Sequence, residues 1–158
     1  MEPADQFNSA LREGTADSLI GNIVFFDGVC LLCDGSVRFL LRRDVKRILR
    51  FATLQGHTGK NLFASGMLPA TQETLTSIIY LRNQPGSQPE VFTRSTAILQ
   101  ILSDLGGVWR TVSWIRIIPR SLRDLVYNCI ARHRYRWFGR RPESCFVPRP
   151  TDRDRFMD

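Results

Sequence analysis

The sequence has no apolar run long enough to cross a membrane. Its most apolar stretch, residues 20–33, is interrupted by Asn22 and Asp27, whereas a membrane-spanning helix needs about 20 apolar residues. The first 20 residues carry four acidic side chains and one arginine, whereas a secretory signal begins with basic residues. The sequence therefore predicts a cytoplasmic protein without a membrane span.

Cysteine is scarce, with four among 158 residues, at positions 30, 33, 129 and 145. A chain of this length buries roughly 68–70% of its unfolded surface, so a core can form without disulfide bridges. In a reducing compartment, so few thiols indicate catalysis, metal binding or simple burial. A length of 158 residues favours one domain, and no internal repeat or low-complexity segment is visible in the sequence.

Composition divides the chain into three regions. Residues 1–20 lack apolar periodicity and are predicted to form a flexible N-terminal arm. Residues 21–137 carry strand and helix patterns and are predicted to form one domain that includes C-terminal helices. Residues 138–158 contain three prolines among mixed charges and are predicted to form an irregular, Arg-rich tail.

Apolar runs and helical spacings alternate along the middle region. Short β-prone runs predict strands, and apolar residues at every third or fourth position predict helices. The expected strands are residues 23–26, 48–54, 77–81 and 90–93, the last two forming a hairpin, and the expected helices are residues 33–44, 61–67 and 97–105. A loop is expected at residues 55–59. The predicted order is β-α-β-α-β-β-α, followed by C-terminal helices.

The clearest helical pattern follows Pro119, which ends a short apolar segment. Its apolar stripe, expected to pack on the core, comprises Leu122, Leu125, Val126, Cys129, Ile130 and His133. Cys129 and His133 stand one helical turn apart and could chelate a metal, but zinc needs four ligands. A buried, inert Cys129 and a buried, hydrogen-bonded His133 are the favoured interpretation.

Positive charge is concentrated late in the sequence. Residues 110–155 contain 12 arginines against 4 acidic residues, a local net charge of +8. Such a surface permits contact with nucleic acid or anionic lipid. The favoured interpretation is a solvated, Arg-rich helix and tail, and nucleic acid is not expected as a partner.

The segment Cys30-Leu31-Leu32-Cys33 lies between a predicted strand and a predicted helix. Free amide groups at a helix start stabilise a thiolate, which is the nucleophile of disulfide exchange. Two intervening residues let the second sulfur close a disulfide with the first. Cys30, nearer the loop, is the expected nucleophile and Cys33 the resolving thiol, with zinc binding and inert buried thiols as alternatives.

Asp27 and Gly28 precede this pair. Asp27 could take the proton of Cys33 during resolution, or it could cap the turn through backbone N–H groups, and the sequence leaves both open. Gly28 is expected to adopt a backbone conformation closed to other residues and to permit close approach of a partner disulfide. Asp34 is expected to be an acidic residue of the first helical turn.

Cys145 lies in an irregular, proline-flanked segment rather than on a helical stripe. It could be a third redox thiol, or a small apolar residue that pins the tail to the core. The packing role is favoured, because the pair Cys30 and Cys33 needs no third thiol to complete a redox cycle.

The segment Asp27-Gly28-Val29-Cys30-Leu31-Leu32-Cys33 resembles the signature of the DCC family of thiol-disulfide oxidoreductases. The resemblance extends over residues 22–156, and its further segments are residues 51–55, 94–97, 117–120 and 134–139, together with Tyr127, Cys145 and Pro148. It implies an α/β, thioredoxin-like fold and protein-disulfide reductase activity.

The catalytic residues expected from this interpretation are Cys30, Cys33 and Asp27, supported by Gly28. The expected partners are a protein or small-molecule disulfide and a thiol reductant. Neither a metal nor an organic cofactor is implied.

Overall fold

A computed structural model of the chain describes residues 21–64, 66, 68, 77–84, 87, 89–141 and 147–157, to which every structural statement below refers. The predicted N-terminal arm and the packing role of Cys145 lie outside the described residues. The division into arm, domain and tail stays a prediction. Within the described residues, no helix is both long and apolar enough to cross a membrane.

A four-stranded sheet forms the centre of the molecule. Its strands are β1 (Asn22–Phe26), β2 (Leu49–Thr53), β3 (Ile79–Arg82) and β4 (Glu90–Thr93), and they lie in the order β2-β1-β3-β4. β1 is parallel to β2 and antiparallel to β3, while β3 and β4 form the predicted antiparallel hairpin. This α/β architecture is thioredoxin-like, as predicted.

Three helices cover the sheet. They are α1 (Leu31–Arg43) after β1, α2 (His57–Ala64) after β2, and α3 (Arg94–Leu105) after β4. α1 begins two residues before its predicted start, and α2 begins inside the predicted loop. The reason for the second difference is Gly59, because a Cβ there would lie 2.6 Å from the carbonyl oxygen of Thr53. The glycine permits close helix packing at this position and does not mark a loop.

β1 is buried on both faces because its side chains alternate between two apolar clusters. Ile23 and Phe25 belong to the cluster that includes Leu62 of α2. Val24 and Phe26 belong to the cluster that includes side chains of α1 and α3. A strand covered on both faces needs a continuous apolar run, which is what the sequence carries at this position.

The C-terminal part of the domain is helical. α4 (Val108–Val112) leads into a 3-10 helix (Ser113–Ile117), and α5 (Arg120–Phe138) follows directly after Pro119. The predicted short apolar segment ended by Pro119, and the helix after it, are confirmed.

α5 packs with the face opposite to the predicted one. The residues of the predicted apolar stripe are exposed: Leu122, Leu125, Val126, Cys129, Ile130 and His133. The inner face carries Tyr127, Arg134 and Tyr135, and the hydroxyl of Tyr127 accepts a hydrogen bond from the Ile78 amide at 3.0 Å. The prediction of a buried Cys129 and a buried His133 is wrong, because the side of α5 that packs on the domain carries polar residues, which form hydrogen bonds there.

The tail returns to the sheet through a second 3-10 helix (Pro150–Arg155). Arg155 is buried and donates hydrogen bonds to the Asp44 carboxylate and, at 3.0 Å, to the carbonyl oxygen of Leu49. The expectation that the late arginines are solvated is wrong for Arg155. A buried guanidinium needs an acceptor, and Asp44 supplies a charged one.

Candidate active site

The loop after β1 delivers Cys30 to the start of α1. Cys30 caps this helix with an extended backbone, and its carbonyl accepts a hydrogen bond from the Asp34 amide at 3.0 Å. Cys33 lies in the first turn, where its thiol and that of Cys30 are hydrogen-bonded to each other. The predicted strand-loop-helix setting of the two cysteines is confirmed.

The two thiols have opposite pKa shifts. The hydrogen bond from Cys33 is the largest cause that lowers the pKa of Cys30, to about 6, and the charge of Arg134 acts in the same direction. The same hydrogen bond, followed by burial, raises the pKa of Cys33. At neutral pH the negative charge therefore lies on Cys30 and the proton on Cys33, which is the distribution that a nucleophile and a resolving thiol need.

A later part of the chain, residues 139–141, pairs with the backbone at Cys30 and is called the covering segment below. Arg140 forms a β-bridge with Cys30, and the Arg141 amide donates a hydrogen bond to the Val29 carbonyl at 2.9 Å. Cys30 is only 1% exposed, while Cys33 is partly exposed. The thiol expected to attack a substrate is thus closed to solvent, which the sequence did not predict.

The covering segment is fixed at both ends. Gly139 has φ 91° and ψ 171°, a backbone region open essentially to glycine alone, and a Cβ there would lie 3.2 Å from the Leu31 side chain. Arg141 donates a hydrogen bond to the Asp34 carboxylate at 2.9 Å. Asp34 lies in the first turn of α1, as predicted, and so ties the covering segment to the helix that carries the dithiol.

Asp27 is buried, and its carboxylate accepts four hydrogen bonds. Oδ1 accepts from the Val29 amide at 3.1 Å and from the Gln55 side chain at 2.9 Å. Oδ2 accepts from Arg134 at 2.8 Å and from the Tyr135 hydroxyl. The turn-capping alternative for Asp27 is therefore present in the structure, and the same carboxylate holds α5 to the loop before Cys30 by a buried ion pair.

Gln55, Arg134 and Tyr135 belong to the site, although no role for them followed from the sequence. Arg134 stands 107 positions after Asp27, so no local pattern connects the two residues. The signal that could have found all three is the family resemblance, whose segments 51–55 and 134–139 contain them. The expectation of solvated late arginines is also wrong for Arg134, because the buried Asp27 pairs with it.

Gly28 is required for space rather than for an unusual backbone angle. Its φ does not lie in the positive region, so the expected conformation closed to other residues is wrong. A Cβ at this position would lie 3.2 Å from the Thr53 side chain and 3.5 Å from the side-chain oxygen of Gln55, to which the Gly28 amide donates a hydrogen bond. The loop therefore approaches the end of β2 closely. Approach of a partner disulfide stays a prediction.

An apolar cleft of about 270 Å³ opens beside Cys33, between α1, α3 and α5. Cys33 and Arg134 form part of its wall, and most other lining residues are apolar, among them Leu32, Val37, Ile98 and Ile130. A second apolar cleft of about 450 Å³ adjoins it and shares Leu32 and Ile98. The partly exposed thiol thus faces a surface that suits an apolar group.

Cys129 and His133 lie on the outer face of α5. The His133 ring contacts the carbonyl oxygen of Cys129 at 2.8 Å and stacks on Trp137. Across the described residues, no group of three or more His, Cys, Asp or Glu side chains could hold a metal ion. A ligand set for zinc is thus not found in this part of the chain.

Comparison with known proteins finds relatives over most of the chain. Residues 24–140 match the family described as DCC1-like thiol-disulfide oxidoreductase. The chain is 34% identical over 143 residues to a Bacillus subtilis (strain 168) protein named Uncharacterized protein YuxK, which covers 90% of this chain and 98% of that protein.

A second relative is the Arabidopsis thaliana protein named DCC family protein At1g52590, chloroplastic. It is 33% identical over 125 residues, which cover 78% of this chain and 67% of that protein. No solved structure matches the chain. A family match over residues 24–140, together with two relatives that share a third of their aligned residues, shows that the chain belongs to the DCC1-like thiol-disulfide oxidoreductase family.

Proposed function

We propose that the protein reduces disulfides by thiol-disulfide exchange, with Cys30 as the nucleophile and Cys33 as the resolving thiol. The observation that carries this proposal is a pair of hydrogen-bonded thiols at the start of α1, with the negative charge favoured on Cys30. A thiol with a pKa near the ambient pH combines a large thiolate fraction with good nucleophilicity. Membership of the DCC1-like family supports the redox class of activity.

The reaction is balanced in two exchange steps. The Cys30 thiolate attacks one substrate sulfur, a mixed disulfide forms, and the other substrate sulfur leaves as a thiolate. Cys33 loses its proton to that thiolate, attacks the Cys30 sulfur and releases the second substrate thiolate, which takes a proton from water. Two electrons pass to the substrate, and the protein keeps a disulfide. A thiol reductant must then reduce it, and the cytoplasm, where we place the protein, supplies such thiols.

We assign supporting roles to Asp27 and Gly28. The Asp27 carboxylate already accepts four hydrogen bonds, which favours a positioning role over transfer of the Cys33 proton. Through its ion pair, Asp27 keeps the charge of Arg134 near both thiols, where it lowers their pKa values. This charge would stabilise Cys33 when that thiol must ionise in the second step.

The apolar cleft beside Cys33 favours disulfides that are flanked by apolar groups. Leu31 and Leu32, which separate the cysteines, are uncharged and line the adjoining apolar cleft. A substrate protein could place one apolar side chain in the cleft while its disulfide meets the thiols. Burial of one such side chain contributes about 1.5–3 kcal/mol, enough to select among disulfides.

Attack by Cys30 requires displacement of the covering segment. Cys30 is 1% exposed while Arg140 is bridged to it, so a substrate sulfur needs this contact to open. Phe138, which directly precedes the covering segment, lines the larger apolar cleft. A substrate group that enters this cleft would therefore contact Phe138, the residue directly before the covering segment.

The test is catalysed reduction of insulin by dithiothreitol, with the purified full-length protein. Cys30→Ser should abolish the catalysed rate, and Cys33→Ser should retain substrate as a mixed disulfide on Cys30. Cys129→Ser is the matched control, because this thiol lies exposed on the outer face of α5. Equal catalysed rates for wild type and Cys30→Ser would exclude the proposal.

The burial of Cys30 favours one other candidate, a non-catalytic binding module with a thioredoxin-like core and a basic surface. The two candidates differ in how iodoacetamide reaches Cys30 in the folded protein. Thiol-disulfide exchange at Cys30 requires that the covering segment open locally. Iodoacetamide should then label Cys30 faster than the protein unfolds globally. A binding module would label only as fast as it unfolds, and Cys33→Ser would trap no disulfide-linked partner in cells.

A further inference from the structure

α5 exposes apolar side chains along its whole outer face. Leu122, Val126 and Ile130 recur at every fourth position, Trp137 follows two turns after Ile130, and Leu125 lies one turn after Leu122, so these residues share one side of the helix. They are Leu122, Leu125, Val126, Ile130 and Trp137, and together with the exposed side chains of Trp114, Ile117 and Ile118, which precede α5 in the chain, they are called the outer apolar face. Trp114 is 74% exposed and Ile117 82% exposed. Burial of apolar groups is the main source of folding free energy, so a face of this size in water points to a binding function.

The charges in the part of the chain that carries the outer apolar face are almost all positive. Residues 106–141 contain nine arginines and one acidic residue, Asp124, a local net charge of +8. Six of these arginines are exposed, at positions 110, 116, 120, 132, 136 and 140. Asp124 accepts a hydrogen bond from Ser95 and pairs with Arg120, so it lies against the domain. The partner of this surface must therefore be apolar at its centre and negatively charged at its edge.

We propose that the outer apolar face binds the surface of a bilayer that contains anionic lipids. The apolar side chains would enter the boundary between headgroups and acyl chains, while the arginines would contact lipid phosphates. Trp114 and Trp137 suit this boundary, because tryptophan is enriched at membrane-water interfaces. The long arginine side chains can lay their apolar stems along the same surface and keep their charges in the headgroup layer.

Charge complementarity separates this partner from a second copy of the chain. In a symmetric dimer the same patch lies on both subunits, so arginines would face arginines with few carboxylates between them. Nucleic acid would satisfy the arginines but would leave Leu125 and Ile117 without an apolar partner. The anionic bilayer surface satisfies both properties.

Binding in this orientation has a consequence for the dithiol. Ile130 belongs to the outer apolar face and also lines the cleft beside Cys33. A bound protein would hold this cleft at the edge of the membrane surface. The inference goes beyond the proposed redox function and does not depend on it, because none of the membrane-binding residues is a thiol.

The test uses the full-length protein and vesicles of two compositions. One contains phosphatidylcholine with 30% phosphatidylglycerol, and the other contains phosphatidylcholine alone (the fraction, about a third, gives a surface potential of the order found on anionic membranes). Co-sedimentation should show binding to the anionic vesicles that is at least about tenfold stronger than to neutral vesicles and that weakens with salt. Tryptophan fluorescence should shift to shorter wavelength on binding, since all three tryptophans, at positions 109, 114 and 137, lie in this part of the chain.

Matched variants identify the residues that contact the vesicle. Ile117→Ser and Trp114→Ser each remove a highly exposed side chain, so folding should be preserved and binding to anionic vesicles should fall about tenfold. Val45→Ser is the control, because Val45 is 88% exposed in the loop after α1, and binding should be unchanged. Arg132→Gln with Arg136→Gln should weaken binding to anionic vesicles and leave binding to neutral vesicles as it was.

Two results would overturn the proposal. The first is equal vesicle binding by wild type and by Ile117→Ser and Trp114→Ser, or no binding at all. The second is a concentration-dependent dimer, seen by analytical ultracentrifugation, that is lost in these variants while anionic vesicles bind neither form. Cys30→Ser should bind vesicles as the wild type does, so that failure of membrane binding and failure of the redox function are told apart.

Discussion

β1 and α5 both carry a clear apolar pattern, and the structure uses the two patterns in opposite ways. All five residues of β1 are buried, and the apolar run faces the core on both sides. In α5 the apolar stripe faces outward, while Tyr127, Arg134 and Tyr135 face the domain. Periodicity identifies the two faces of a helix, but the choice of the inner face depends on the partners that the rest of the fold supplies.

The partner that decides the orientation of α5 is Asp27. This carboxylate is buried at the end of β1, where an unpaired charge would cost several kcal/mol. Arg134 and Tyr135 satisfy one of its two oxygens, and the amide of Ile78 bonds to Tyr127 further along the same face. The apolar side chains of α5 are therefore left for the opposite side.

The largest effect expected from this comparison is on apolar packing. Phe25→Ala removes a fully buried ring from β1 and should lower the free energy of unfolding by about 3–5 kcal/mol. Leu125→Ala removes an exposed side chain from α5 and should change the free energy of unfolding by no more than about 0.5 kcal/mol. Urea-induced unfolding measures both values. A comparable loss for the two variants would mean that the α5 stripe is buried.

The next effect concerns the polar inner face of α5. Arg134→Met leaves the buried Asp27 without its cation and should cost about 3 kcal/mol of unfolding free energy. This loss of unfolding free energy is at the low end of the range for a broken buried ion pair, because the Asp27 carboxylate keeps three other hydrogen bonds. Arg132→Met, on the exposed side of the same helix, is the control and should change stability by less than about 0.5 kcal/mol. Similar losses for both variants would remove Asp27 as the cause of the helix orientation.

A smaller effect is expected at the covering segment, which joins α5 to the start of α1. Gly139→Ala places a side chain in a backbone region that disfavours it and next to Leu31, at a cost of about 1–3 kcal/mol. The strain should also loosen the contact with Cys30 and speed its labelling by iodoacetamide.

Gly35→Ala is the control for this substitution. Gly35 lies in α1 with free space around it, so alanine should stabilise the protein by about 0.5–1 kcal/mol and leave the labelling rate unchanged. Unchanged labelling in Gly139→Ala would show that the covering segment does not limit access to Cys30.

The smallest effect expected is on the titration of Cys30. Its labelling rate follows the thiolate fraction, which rises with pH, so the rate should reach half its maximum near pH 6 and then level off. Arg134→Met should move this midpoint upward by less than Cys33→Ala does, because the Cys33 hydrogen bond is the largest cause of the low pKa. Mass spectrometry of the Cys30 peptide gives the rates. A wild-type midpoint near 8.5, the value of a free thiol, would show that neither group acts on Cys30.

The parts of the fold that the sequence predicted are those in which neighbouring residues determine the outcome. The apolar run of β1, the hairpin of β3 and β4, and the placement of Cys30 and Cys33 at a helix start all follow from local patterns. The predictions for Gly59 and Gly28 failed in part, because each glycine is needed for close contact with the end of β2, which lies just before Gly59 in the chain and about 25 positions after Gly28.

The contacts of Asp27 with Arg134, and of Arg140 with Cys30, were not predictable for a related reason. They join residues about a hundred positions apart, and charge or periodicity in a window of the sequence does not indicate a partner at that separation. The family resemblance marked the segment that contains Arg134 without giving a role to its residues.

The separation of Asp27 and Arg134 in the chain also fixes an order of events during synthesis. The two residues are 107 positions apart, so a ribosome adding about 5–20 residues per second makes the arginine on the order of 10 s after the aspartate. Throughout that interval the nascent chain holds both cysteines without the cation that helps to ionise them and without the covering segment at Cys30. Contacts of such long range also slow folding, since a large loop must close before they form. The dithiol therefore gains the charge of Arg134, and Cys30 gains the covering segment, late in the maturation of the chain.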